Sequence, residues 1–67
     1  MHKGEIKKVA ERQPFRAFTV RLTNGAAYDF NEPRDFGAPR SYRMIFHFGR
    51  EYAVRIDPDE IAEIIEH

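Results

Sequence analysis

Apolar and polar residues alternate through Phe18-Thr19-Val20-Arg21-Leu22-Thr23, leaving Phe18, Val20 and Leu22 on one face. A period of two is the signature of a strand with one side buried. Asn24-Gly25 follows as a turn signal, and Ala26, Tyr28 and Phe30 resume the alternation. A two-residue turn would set Val20 opposite Asp29 and place a carboxylate among core residues. A three-residue loop, Thr23-Asn24-Gly25, with Gly25 in the left-handed position, pairs Leu22 with Ala26, Val20 with Tyr28 and Phe18 with Phe30. The bulged loop is therefore expected, because a slip of one residue turns the whole apolar set to water.

The flanking segments are built to cover that hairpin. Glu5 to Gln13 carries Ile6, Val9 and Ala10 at helical spacing, and Pro14 ends the pattern. So short a helix barely forms alone in water, so its Ile6/Val9 stripe must dock on the sheet. After Phe30, Pro33, Gly37 and Pro39 punctuate an irregular loop. A second hairpin is expected from Tyr42 to Ile56. Tyr42, Met44, Phe46, Phe48, Tyr52, Val54 and Ile56 would face inward, joined by a three-residue Gly49-Arg50-Glu51 loop, while Ile45, His47 and Ala53 would share the outer face. The tail permits two readings. Asp57, Pro58 and Glu60 are helix-start signals; one tight turn at Asp57–Glu60 and a last strand, Ile61–Ile65, accounts better for the β-branched residues.

These elements predict an α+β, mostly antiparallel β fold: an N-terminal helix followed by a small, strongly bent barrel of four or five strands. The 67 residues allow one domain, spanning 1–67. A chain of this size buries only about 60% of its unfolded surface, which makes self-association a natural source of further burial. The absence of cysteine excludes a disulfide framework and thiolate metal sites and fits a reducing compartment. No apolar run approaches the roughly 20 residues of a membrane span, and MHKGEIKK lacks the apolar core of a signal peptide, so a cytoplasmic location is expected.

Charge is zero in sum but uneven in place. All eleven Lys and Arg precede Ile56, with six of the eleven acids; Asp57, Asp59, Glu60, Glu63 and Glu66 follow without a cation. That asymmetry suggests a basic surface with an acidic counterpart, although a solvated exterior accounts for it too.

The run Gln13-Pro14-Phe15-Arg16-Ala17-Phe18-Thr19-Val20-Arg21-Leu22-Thr23-Asn24-Gly25 resembles a group of short, uncharacterised bacterial proteins with a PFxxFxVxLxxG motif. More distantly, the order of elements, with Leu22-Thr23-Asn24-Gly25 closing the first strand, resembles the Sm-like small β-barrels. That resemblance implies rings built by pairing edge strands of neighbouring subunits, and RNA as a partner.

No catalytic constellation stands out. The three histidines, His2, His47 and His67, are scattered, and no closely spaced His/Asp/Glu set suggests a metal or any other cofactor. Asp57 with Asp59, or Glu60 with Glu63, read as a capped turn with a solvated acidic face. The expected function is a non-enzymatic binding module that self-assembles or binds a protein, with Ile45, His47 and Ala53 as the interface. The alternative is single-stranded RNA binding through Arg34, Arg40, Arg43 and Arg50, with Phe36 and Tyr42 offering faces for bases. A neutral chain lacks the overall basic excess usual in nucleic-acid binders.

Overall fold

The computed structural model describes residues 3–67, with side chains from residue 4 onward. Helix α1 (Lys3–Ala10) leads into β1 (Phe18–Leu22) and β2 (Ala27–Phe30). A 3-10 turn at Pro33–Asp35 opens onto the two-residue strand β3 (Phe36–Gly37). Strands β4 (Ile45–Phe48) and β5 (Ala53–Ile56) follow, then a 3-10 turn at Pro58–Glu60 and the last strand, β6 (Ile61–Glu66). The strands form two three-stranded sheets, sheet A in the order β2-β1-β6 and sheet B in the order β3-β4-β5, with every pairing antiparallel. The fold is mostly β with one helix. No ladder joins the sheets, so the expected closed barrel is replaced by two sheets meeting across a common core.

The first hairpin has the expected register. Phe18 pairs with Phe30 and Val20 with Tyr28, while the Leu22 amide donates to the Ala26 carbonyl and the Gly25 amide to the Leu22 carbonyl. Gly25 has φ of +93°, where a side chain would be strained. The tail is the expected turn and strand. Pro58 opens a single turn, the Asp57 side chain accepts from the Asp59 amide at 2.9 Å, and β6 then pairs with β1.

Helix α1 stops at Ala10, short of the expected Gln13; the Arg12 amide donates back to the Val9 carbonyl, tightening the final turn. Its Ile6 and Val9 are buried together with Phe18, Val20, Leu22, Phe30, Ile45, Ile56 and Ile61. Phe18 and Phe30 stack at 4.8 Å, and Phe36 packs edge-on against both.

The second hairpin departs from expectation by one residue. Ile45 pairs with Ile56, His47 with Val54 and Phe48 with Ala53, and Gly49 is joined to Tyr52 around a two-residue Arg50-Glu51 turn. The three-residue loop was misassigned for a physical reason. Such a loop needs its left-handed residue last, where Gly25 stands in the first hairpin, whereas here glycine comes first and Glu51 last. The consequence is that β4 turns over. Ile45 and His47 face the core, and Phe46 and Phe48 face outward. Tyr42 does not begin a strand; it sits at φ +53° ahead of β4.

Candidate functional site

A groove of about 610 Å3 opens between the loop after β2 and the β4–β5 hairpin. Asp29, Glu32 and Asp35 give it an acidic wall, and Arg34, His47 and Arg50 also line it. Each acid already has a partner. Asp29 accepts from the Thr19 hydroxyl at 2.6 Å, Glu32 pairs with Arg34 at 3.2 Å, and Asp35 accepts the Asn31 and Glu32 amides. Asp35 is fixed there because Pro33 starts a turn whose free amides need an acceptor. Arg50 is exposed, with no ion-pair or hydrogen-bond partner among the described residues. Phe48 and Gly49 complete the rim.

His47 joins the two sheets. Its Nε2 donates to the Asp29 carbonyl at 2.9 Å, which fixes the proton on that nitrogen, because a carbonyl can only accept. The ring meets Phe30 edge-on at 5.0 Å and lies 5.4 Å from Tyr28, while Nδ1 is buried without a partner. The carbonyl it caps belongs to an edge strand of sheet A, so a side chain stands where a further strand would pair.

The expected RNA-contacting residues separate. Arg34 and Arg50 share the groove. Arg40 and Arg43 are exposed on the segment entering β4. Phe36 is half-buried between Phe18, Phe30 and Tyr42. Tyr42 is 8% exposed and donates its hydroxyl to Glu11 at 2.8 Å, so its ring offers no open face. Burial foremost, then the Glu11 hydrogen bond and charge, pushes the Tyr42 pKa up to about 12.

Of the expected interface, Ile45 is fully buried within the chain and His47 is committed to Asp29; Ala53 alone is exposed on its outer face. The acidic tail is also partly spoken for, since Glu63 pairs with Arg21 and Glu66 with Arg12 at 2.7 Å.

A polar chain on the outer side of sheet A bears on catalysis. The Thr19 hydroxyl lies between Asp29, at 2.6 Å, and His67 Nε2, at 2.7 Å. With its single proton given to Asp29, Thr19 accepts from His67. An activated nucleophile has the base in the middle, so this order leaves the hydroxyl unactivated. Among the described residues no group of three or more His, Asp and Glu side chains is placed to hold a metal, and no helix is long and apolar enough to cross a membrane. His2 lies outside the described residues.

The feature that sequence reasoning missed is the outer face of sheet B. Phe46 and Phe48 lie nearly parallel, centroids 6.0 Å apart and planes at 14°, and Phe48 is 43% exposed. Small residues leave them open. Gly37 pairs with Phe46, Ala53 with Phe48, and a Cβ on Gly37 would fall 2.5 Å from the Phe48 ring. Arg55 pairs with Phe46 from the other side. The position of glycine at the start of the second turn was the available signal.

Compared with protein-family models, curated proteins and solved structures, the chain finds no match in any of the three.

Proposed function

We propose that this chain is a small non-enzymatic binding module that assembles with further copies of itself through the open edges of its two sheets. The observation that supports this reading is where the unpaired edges lie. Strand β6 ends sheet A and β5 ends sheet B. Strand β6 is the longest strand, six residues with neither proline nor lysine, and its Ile65 is 39% exposed. Natural edges are usually blunted by such residues or by covering groups, because an unpaired ladder templates another strand. The other two edges have such protection: β2 through His47 on the Asp29 carbonyl, and β3 through its length of two residues.

One open edge in each sheet makes pairing of unlike edges, β5 of one copy with β6 of the next, a head-to-tail contact that closes into a ring or propagates. The Sm-like resemblance of Leu22-Thr23-Asn24-Gly25 and the order of elements favours the ring, with the two sheets as halves of one bent barrel. Ala53, on β5, is the residue of the expected interface that this reading keeps. The lack of cysteine accords with the cytoplasm as its compartment.

Light scattering across a wide concentration range tests the reading. The expected mass exceeds that of one chain and falls on dilution, and Ile65→Lys, which sets a charge on the β6 edge strand, shifts the distribution toward monomer. A monomer mass at every concentration would overturn it.

A further inference from the structure

We infer that the outer face of sheet B is a platform for single-stranded RNA, with Phe46 and Phe48 stacking successive bases and the arginines of the same segment holding phosphates. The inference stands apart from assembly, because it uses a sheet face rather than a strand edge. Three observations carry it.

First, the two rings are adjacent on one strand, turned the same way and nearly parallel. An aromatic face offered to solvent is the element that single-stranded nucleic acid recognises, since every base has a π-face to lay on it. Second, the neighbouring strands keep the platform clear. Gly37 and Ala53 are the cross-strand partners of Phe46 and Phe48, and the Phe48 ring lies where a side chain on Gly37 would be. Third, the charge there has one sign. Residues 36–56 contain Arg40, Arg43, Arg50 and Arg55 against the single acid Glu51. All four arginines are exposed and none has an ion-pair partner among the described residues. Elsewhere, Arg12, Arg21 and Arg34 are each paired with a carboxylate.

Arg55 flanks Phe46 and Arg50 stands on the turn beyond Phe48, so the cations border the rings. A neutral chain thus carries a local cationic surface beside exposed rings, while its acids are held at the groove and the tail. A protein partner would use the same rings for burial, but it would not require unpaired arginines around them. The polyanion is the occupant that matches both.

Fluorescence anisotropy of a labelled single-stranded oligouridylate, with light scattering on the same samples, tests this. Binding is expected to weaken with salt at roughly 0.7 log units per contacted phosphate per tenfold increase in salt, so two contacts give a loss of about sevenfold between ~50 and ~200 mM. Phe48→Leu keeps an apolar side chain and is expected to weaken binding about tenfold or more, the range for a lost base stack, with Phe48→Tyr restoring it. Arg50→Gln with Arg55→Gln is expected to flatten the salt dependence and leave the assembled mass unchanged. Absence of binding at low salt, or equal affinity of wild type and Phe48→Leu, would overturn the proposal. A change of mass in Phe48→Leu without a change in RNA affinity would also overturn it and assign the face to protein contact.

Discussion

Ile45→Ala is the sharpest test of how sheet B packs. Ile45 has no exposed surface and faces Ile56, which is 1% exposed. Truncating a fully buried isoleucine to alanine removes its burial and leaves a cavity, costing about 2–5 kcal/mol. At roughly 0.05–0.15 kcal/mol per residue, a domain of this size has about 3–10 kcal/mol in all, so one substitution removes a large share. Each kcal/mol lowers Tm by about 4–8 °C for a domain near this length. Phe48→Ala is the control. A wholly buried phenylalanine would cost about 3–5 kcal/mol, but with 43% of Phe48 in water the buried part scales this to about 2 kcal/mol. Urea denaturation at one fixed protein concentration measures both, the concentration being held because assembly shifts apparent stability. Ile45→Ala should be the more damaging of the two. The three-residue loop inverts that order, since it turns Phe48 inward and Ile45 to solvent. If Phe48→Ala costs more than Ile45→Ala, the two-residue turn and the outward aromatic pair are both wrong.

Tyr42 supplies a pH prediction. Its folded pKa of about 12 lies above the ordinary 10.0, so between those values the unfolded chain holds fewer protons than the folded one. Stability contributed by the neutral phenol is full below pH 10 and is lost as pH rises through 12; Tyr42→Phe should reduce that alkaline loss, and an unchanged profile by circular dichroism would refute the linkage. Gly25→Ala should destabilise by about 1–2 kcal/mol because φ is +93° there, with Gly25→Asn costing less, as thermal melts would show. Gly37→Ala should cost under about 1 kcal/mol, since the far end of the Phe48 ring can move, yet it should swing that ring off β3; unchanged Phe48 ring chemical shifts would count against the packing described.

The first hairpin was legible because its parts agree: alternation, an Asn-Gly turn and a glycine in the one place that tolerates φ above zero. The last strand was legible from Ile61, Ile64 and Ile65, whose branching suits a pleated surface, and Pro58 stopped the turn from being anything longer. The second hairpin misled because both faces of β4 are apolar. Met44, Phe46 and Phe48 alternate with Ile45 and His47, so periodicity could not say which set faced inward, and the loop chemistry was the remaining discriminator. Glycine at its first position serves another purpose: a Cβ on Gly49 would collide with the Tyr52 ring. The candidate site followed the same pattern. Arg34 and Arg50 were found from loop position and charge, whereas Tyr42 left the candidate set because Glu11, far away in the chain, holds its hydroxyl.

The pairing of β1 with β6 has a consequence for biosynthesis. The central strand of sheet A is among the first segments to leave the ribosome, and its partner is among the last. Until Ile61–Glu66 emerges, the nascent β1–β2 ribbon has one flank bare and half of its core unfilled. Completion of the fold is thus tied to completion of the chain, and a polypeptide stalled ahead of that segment would expose Phe18 and Val20 to chaperones and proteases.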